Sequence, residues 1–251
     1  MEASLDVQSM SETSTKVFIL EVMGRHAGWM AASSALARTN NEDAPHVILL
    51  PETTFNQKEF LSLVKNNVNE HGYCVVVVSE GIKNSKGKFL AESDKKDSFG
   101  HSQLGGVAPF ISNLINNKLK LKNHWAVADY LQRSARHIAS KVDLEHAQAV
   151  GSFAIKYAMA GMNGVMPIII RKKGSKYKWF IEAAPLSKIA NLEKKLPKSF
   201  ISKNGMNVTQ KAIDYLMPLI QGESHPPYKN GIPLLKEFKL KKVEKKLPNW
   251  K

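Results

Sequence analysis

The 251-residue chain carries a single cysteine, Cys74, so it has no disulfide framework and suits a reducing compartment. Long apolar runs are also missing. The longest, Val75-Val76-Val77-Val78 with its flanks, is the size of a strand and falls short of the roughly 18 residues a membrane span needs. The first ten residues, MEASLDVQSM, are acidic and polar, unlike a secretory signal. These absences predict a cytoplasmic protein with no membrane partner.

Arginine is scarce too. Arg25, Arg38, Arg133, Arg136 and Arg171 stand against 31 lysines, and the net charge is +14. Nucleic-acid readers favour arginine forks interleaved with aromatics. Here the lysines gather in stretches such as 193–200 and 235–251, which read as solvated surface rather than as a nucleic-acid face. A positive field also suits an acidic or phosphorylated small molecule.

The eight histidines show no HExxH or paired ligand spacing, and His137 and His146 read as surface residues. Cys74 lies inside an apolar strand and reads as an inert core thiol. Neither a GxSxG elbow nor a GxxxxGK[ST] loop occurs, and Gly105-Gly106 and Gly161-Met162-Asn163-Gly164 read as turns or helix ends.

What is present alternates. Residues 16–22 predict a strand ending at Met23-Gly24-Arg25, and residues 27–38 a closely packed small-residue helix. A strand over 46–50, a helix over 56–70 and a doubly buried strand over 73–78 follow. This order is the mark of a parallel sheet with crossover helices, hence an α/β class. Residues 79–106 predict an irregular surface excursion. Beyond them come a helix over 107–117, a strand over 123–131, a helix over 144–160 and a hairpin of 165–171 with 177–183. A helix near 208–220 and a Pro-rich tail complete the chain.

In parallel α/β sheets, ligands bind outside the carboxyl ends of the strands. Three such ends carry polar residues: Glu21-Val22-Met23-Gly24-Arg25, Ser79-Glu80-Gly81 and Tyr130-Leu131-Gln132-Arg133. Gly24 lets backbone approach a ligand, and the helix after it would offer N–H groups to an anion. Two cations and a carboxylate in one crevice suit a phosphorylated sugar. Each taken singly could equally be a surface residue or a local ion pair.

The run Val22-Met23-Gly24-Arg25-His26-Ala27-Gly28 resembles the strand-to-helix motif with which phosphofructokinases hold fructose 6-phosphate. Leu50-Pro51-Glu52, Ser79-Glu80-Gly81 and Tyr130-Leu131-Gln132-Arg133-Ser134 follow in that family's order, and residues 125–140 are similar to its pyrophosphate-using branch. The resemblance runs from Ala3 to about Phe238. It implies a parallel-sheet, Rossmann-like phosphofructokinase fold, incomplete at the N-terminus. It further implies that Met23, Gly24 and Arg25 contact the sugar phosphate and that Glu80 binds sugar hydroxyls. Tyr130 and Arg133 would face the 6-phosphate end or the transferring group. Lys16 falls where many members place an arginine that crosses a subunit interface; lysine keeps the charge and loses the fork. His124 falls near a second such arginine. A shared pocket of that kind implies a homo-oligomer or a hetero-association.

Fructose 6-phosphate and fructose 1,6-bisphosphate are the small-molecule partners the family implies, with pyrophosphate as donor and Mg²⁺ as cofactor. In the family, a Gly-Gly-Asp donor cradle and a base in a Thr-Ile-Asp type segment precede the Met-Gly-Arg motif. Residues 1–16 hold neither, so the expectation is a C-terminal part that supplies the sugar-phosphate pocket, with no catalytic residue of its own and the Mg²⁺ ligands elsewhere. The expected division is 14–131 for the sugar-phosphate domain, 132–183 for a helix and strands returning to the donor domain, and 184–251 for a C-terminal helix and basic tail. A non-catalytic sugar-phosphate-binding or regulatory subunit and, remotely, a lysine-rich nucleic-acid binder are the alternatives.

Overall fold

A computed structural model describes residues 1–251 apart from 41, 97–101, 105, 175, 237, 238, 240, 243 and 248–251, with backbone alone for 92–96 and 102–104. Gly105, expected in a turn, and Phe238, near the end of the family resemblance, lie outside the described residues.

Helix α1 (Glu2–Met10) leads into strand β1 (Val17–Val22). After α2 (Trp29–Ser33) and a 3-10 turn (Ser34–Ala37) come β2 (Val47–Leu49), α3 (Gln57–His71) and β3 (Cys74–Ser79). The expected helix over 27–38 is therefore five residues of α-helix and one tight turn. Ala31 and Ala32 pack flat on the sheet, and Ser33 and Ser34 turn their hydroxyls back onto Met30 O at 2.7 Å and Ala31 O at 2.6 Å, which competes with continuation of the helix. By contrast, α3 has a full set of end signals. Asn56 accepts the Glu59 amide as N-cap, and Gly72 closes the helix at φ +82°.

The excursion 79–106 is not wholly irregular, because it folds into the antiparallel pair β4 (Glu92–Lys96) and β5 (Ser102–Leu104). Helix α4 (Val107–Leu119) and strand β6 (Asn123–Val127) return the chain to the main sheet. That strand stops four residues earlier than expected. Asp129 adopts φ +39°, and the backbone coils into a 3-10 turn at Asp129–Gln132.

The four strands stand in the order β2-β3-β1-β6 and every pairing is parallel, which establishes the α/β class. Alternate residues of β3 serve opposite faces. Cys74, Val76 and Val78 pack with Phe60 and Val64 of α3 and Ile111 and Ile115 of α4. On the other face Val77 packs with Ala31, Ala32, Leu196, Ala212 and Leu216. Both faces are covered, as an uninterrupted apolar strand requires.

A second layer is formed by α5 (Lys141–Met159) with the antiparallel strands β7 (Val165–Arg171) and β8 (Trp179–Pro185), whereas α6 (Gln210–Leu216) packs on the main sheet through Ala212 and Leu216. Short strands β9 (Tyr228–Lys229) and β10 (Ile232–Pro233) form a last hairpin. Ser140 caps α5 by accepting the Asp143 amide at 3.1 Å and donates to Leu219 O at 2.7 Å, tying the two layers together. Ile155 and Met159 on α5 and Ile169 and Phe180 on the hairpin remain exposed. His146 is a correction to the surface reading: it is 7% exposed, with its ring edge-on to Trp179 and its Nε2 3.1 Å from the Tyr177 hydroxyl. Burial against two aromatics lowers its pKa, favouring the neutral ring. No described helix is long and apolar enough to cross a membrane.

Candidate functional site

Because the sheet is parallel, the carboxyl ends of β1, β2 and β3 open onto one edge, and the chain leaving each carries polar side chains there. The turn after β1, residues 23–28, is built on side-chain acceptors from three distant segments. The Met23 amide donates to Gln132 Oε1 at 3.1 Å, the Gly24 amide to Glu80 Oε1 at 3.1 Å, and the Gly28 amide to Glu52 Oε1 at 2.9 Å. Ser79 returns the contact by donating its hydroxyl to Gly24 O. Backbone amides left without such partners would cost about 1–3 kcal/mol each. The residues that hold the turn therefore also define its shape.

Two glycines are dictated by contact. Gly24 has φ +143°, and a Cβ there would stand 2.8 Å from Ala27 O and 2.9 Å from Ser79 Oγ. A Cβ on Gly81 would fall 1.9 Å from Arg25 O, so the two turns press backbone to backbone. Gly28 does not present its N–H to an outside anion, as the sequence had suggested, because Glu52 already takes it.

Beneath the turn lies Glu21, 2% exposed, whose Oε2 accepts the Ala108 amide at 2.8 Å where α4 begins. Burial pushes its pKa up. The Ala108 amide opposes that, and nearby Glu80 adds to it. Beyond β6, the Arg133 guanidinium sits over the Tyr130 ring at 5.1 Å, and Tyr130 is 65% exposed. At the outer flank, His26 Nδ1 and Glu193 Oε1 approach to 2.5 Å, and this contact holds the Glu193 carboxyl below its ordinary value.

Of the residues expected at a site, Met23, Gly24, Arg25 and Glu80 come together at this edge, with Tyr130 and Arg133 in the turn that Gln132 ties to Met23. Lys16 does not join them. It precedes β1 at the opposite end of the sheet, about 20 Å away along the strand, and its ammonium donates to Ser11 O. His124 pairs with Phe18 and shares that far end. Reading from sequence did not give Ser79, Gln132, Glu52 or Glu21 a task. All four lie inside the motifs already singled out, and their partners are backbone atoms that no side-chain pattern reveals. Among the described residues no group of three or more His, Cys, Asp or Glu could hold a metal ion. Cys74 is fully buried, and burial raises its thiol pKa, as expected of a core residue.

Residues 1–158, more than half of the chain, match the phosphofructokinase family. The chain belongs to the phosphofructokinase family. It is 51% identical over 251 residues to the pyrophosphate–fructose 6-phosphate 1-phosphotransferase of Halomonas elongata, covering 100% of this chain and 60% of that protein. The phosphotransferase of the same name from Xanthomonas campestris is 53% identical, covering 99% of this chain and 60% of its own length. Among solved structures, the pyrophosphate-dependent phosphofructokinase of Marinobacter aquaeolei superimposes with a TM-score of 0.86 at 50% identity, over 98% of this chain and 58% of that one. Its counterpart from Nitrosospira multiformis gives 0.87 at 48% identity, over 100% and 59%. The phosphofructokinase fold is thus shared by chains that this one spans to about three fifths of their length.

Proposed function

We propose that this chain supplies the fructose 6-phosphate pocket of a pyrophosphate-dependent phosphofructokinase, in the sugar-phosphate chemistry of glycolysis and gluconeogenesis and in a cytoplasmic setting. The observation that carries the reading is the turn over residues 23–28, whose amides at 23, 24 and 28 are each held by a side chain from a different segment. Such a turn is rigid without ligand, and rigidity lowers the cost of gripping a small anion.

In this reading Met23, Gly24 and Arg25 line the sugar phosphate. Glu80 spends Oε1 on Gly24 and has Oε2 for a sugar hydroxyl. Tyr130 and Arg133 face the 6-phosphate end or the phosphoryl group in transfer, with the guanidinium steadied on the ring. Residues 14–131 form the sugar-phosphate domain, 132–183 return to a donor domain, and 184–251 form the C-terminal helix and tail. The reaction joins the 1-hydroxyl oxygen of fructose 6-phosphate to one phosphorus of pyrophosphate. The bridging P–O bond breaks, phosphate leaves, the hydroxyl proton is lost, and fructose 1,6-bisphosphate forms. Mg²⁺ serves the donor in this family, and the described residues offer no cluster that fits it, so no step here is assigned to the metal.

Calorimetric titration with fructose 6-phosphate tests the pocket. Arg25→Ala and Arg133→Ala should each weaken binding by at least about tenfold, since a charged hydrogen bond to phosphate contributes on the order of 1.5–3 kcal/mol. Unchanged affinity in both would refute the assignment. A coupled assay with pyrophosphate and Mg²⁺ then asks whether the chain turns over alone; sustained turnover would place the base and the donor cradle within these 251 residues.

A further inference from the structure

Glu52 does something the sugar-phosphate reading leaves unused. It follows β2, and one oxygen of its carboxylate accepts two amides from opposite ends of the chain: Gly28 at 2.9 Å and Leu196 at 2.8 Å. Its other oxygen is buried without a hydrogen-bond partner, and a Cβ on Gly28 would come within 2.7 Å of it, so the carboxylate fills its niche. The two amides belong to two segments that run side by side. One is the turn 23–28 with Trp29. The other is the exposed strap 189–196, which anchors through buried Leu196.

Two more contacts join strap to turn. Trp29 donates its indole N–H to Lys194 O at 2.7 Å while its ring packs on Phe200 and Tyr215. His26 meets Glu193 at 2.5 Å. All three links cross from residues 24–29 or their support to residues 193–196, more than 140 residues later in the chain. Among the described residues no backbone ladder joins the two segments, and side chains alone link strap to turn.

We propose that Glu52 is a positioning residue that locks the strap 189–196 to the turn 23–28, so that the C-terminal segment sets the geometry of the sugar-phosphate pocket. The pocket itself rests on the reading given under Proposed function; the lock is a separate claim. Both Glu52 oxygens face the protein, Oε1 on two amides and Oε2 buried. The residue acts by fixing the Gly28 and Leu196 amides on one oxygen, which holds the far end of the turn while Glu80 and Gln132 hold the near end.

The test compares the full chain with Glu52→Ala, Glu52→Gln and Trp29→Phe, using titration with fructose 6-phosphate and amide hydrogen exchange without ligand. Glu52→Ala should weaken binding about tenfold, and Trp29→Phe, which keeps the ring packing, about threefold. Glu52→Gln keeps an oxygen acceptor and should return affinity to within about threefold of the parent, a rescue that mere loss of bulk would not give. Exchange in Glu52→Ala should quicken together at residues 23–28 and 189–196 and stay unchanged in β1 and β3. Affinity within twofold of the parent in both Glu52→Ala and Trp29→Phe would overturn the positioning role and leave the pocket intact. Should the parent chain fail to bind the sugar phosphate, the pocket reading falls. The lock is then judged by exchange alone: segments that loosen together sustain it, and a change confined to one segment, or to neither, overturns it.

Discussion

Glu80 Oε1 accepts the Gly24 amide at 3.1 Å, joining the turns after two neighbouring parallel strands across 56 residues of chain. The carboxylate thereby shapes the backbone that it is also placed to assist. Seen from Gly24, a charge that could address a ligand is partly committed before any ligand arrives. This is preorganisation by a buried-edge hydrogen bond rather than by packing alone.

The contact between the same two turns predicts a steric failure at Gly81. A methyl group there would sit 1.9 Å from Arg25 O, and the obstacle is backbone. Gly81→Ala should lower stability by about 1–3 kcal/mol, the usual cost of overpacking, and should displace Arg25. Urea denaturation measures the first effect. A fall in fructose 6-phosphate affinity exceeding that of a distant surface variant of equal stability measures the second.

Lys16 lies at the far end of β1, so it reaches no ligand held at the Met23 edge of its own protomer. If the pocket is shared between protomers, Lys16→Ala should weaken sugar-phosphate binding only at protein concentrations where the chain associates. Titrations at two concentrations, with sedimentation to report the association state, check this. An identical loss at both concentrations would rule out the shared pocket.

Acid should destabilise the protein through His46. Its Nδ1 accepts the Val75 amide at 3.0 Å, its ring stacks on His71 at 5.2 Å, and burial followed by the His71 and Arg38 charges lowers its pKa to about 4. The folded state thus binds fewer protons than the unfolded chain between about pH 4 and 6.5. Stability should therefore rise with pH through that window, and the full penalty applies below it. Since the ring is not wholly buried, solvent screening limits the effect to about 1–2 kcal/mol. Between neutral pH and pH 4.5 the parent should lose more stability than His46→Gln does, whatever the offset between the two at neutral pH, as denaturation curves across this range would show.

Ser140 holds two layers with one hydroxyl, accepting from the Asp143 amide and donating to Leu219 O. Ser140→Ala should cost about 1–2 kcal/mol, a cap and an interlayer hydrogen bond together. Thermal unfolding monitored by tryptophan fluorescence reads the loss, and Ser140→Asp, which restores only the cap, should recover part of it.

Much of the architecture is written in local sequence pattern. The unbroken run Cys74 to Val78 required cover on both faces, and the alternation of short apolar strands with periodic helices required parallel crossovers; both follow from local pattern and burial. The helix expected over 56–70 forms as α3, because its apolar spacing is a local pattern; Asn56 and Gly72 then close its two ends. The reading went astray where tertiary contact overrode propensity. Helix α2 ends after five residues, β6 ends at Val127, and His146 is buried by aromatics from a hairpin about 30 residues further on.

The site divides in the same way. Residue identity and strand order alone placed Met23, Gly24, Arg25 and Glu80 on one edge, because parallel strands bring their carboxyl ends together whatever the loops do. Only the tertiary structure decided that Gln132, Glu80 and Glu52 hold the amides of that turn, and that Lys16 stands at the other end of the sheet. Strand pattern is written in neighbouring residues. The acceptor of a backbone amide 24, 56 or 109 positions away is chosen by distance in the folded chain, and distance exists only once the core has formed.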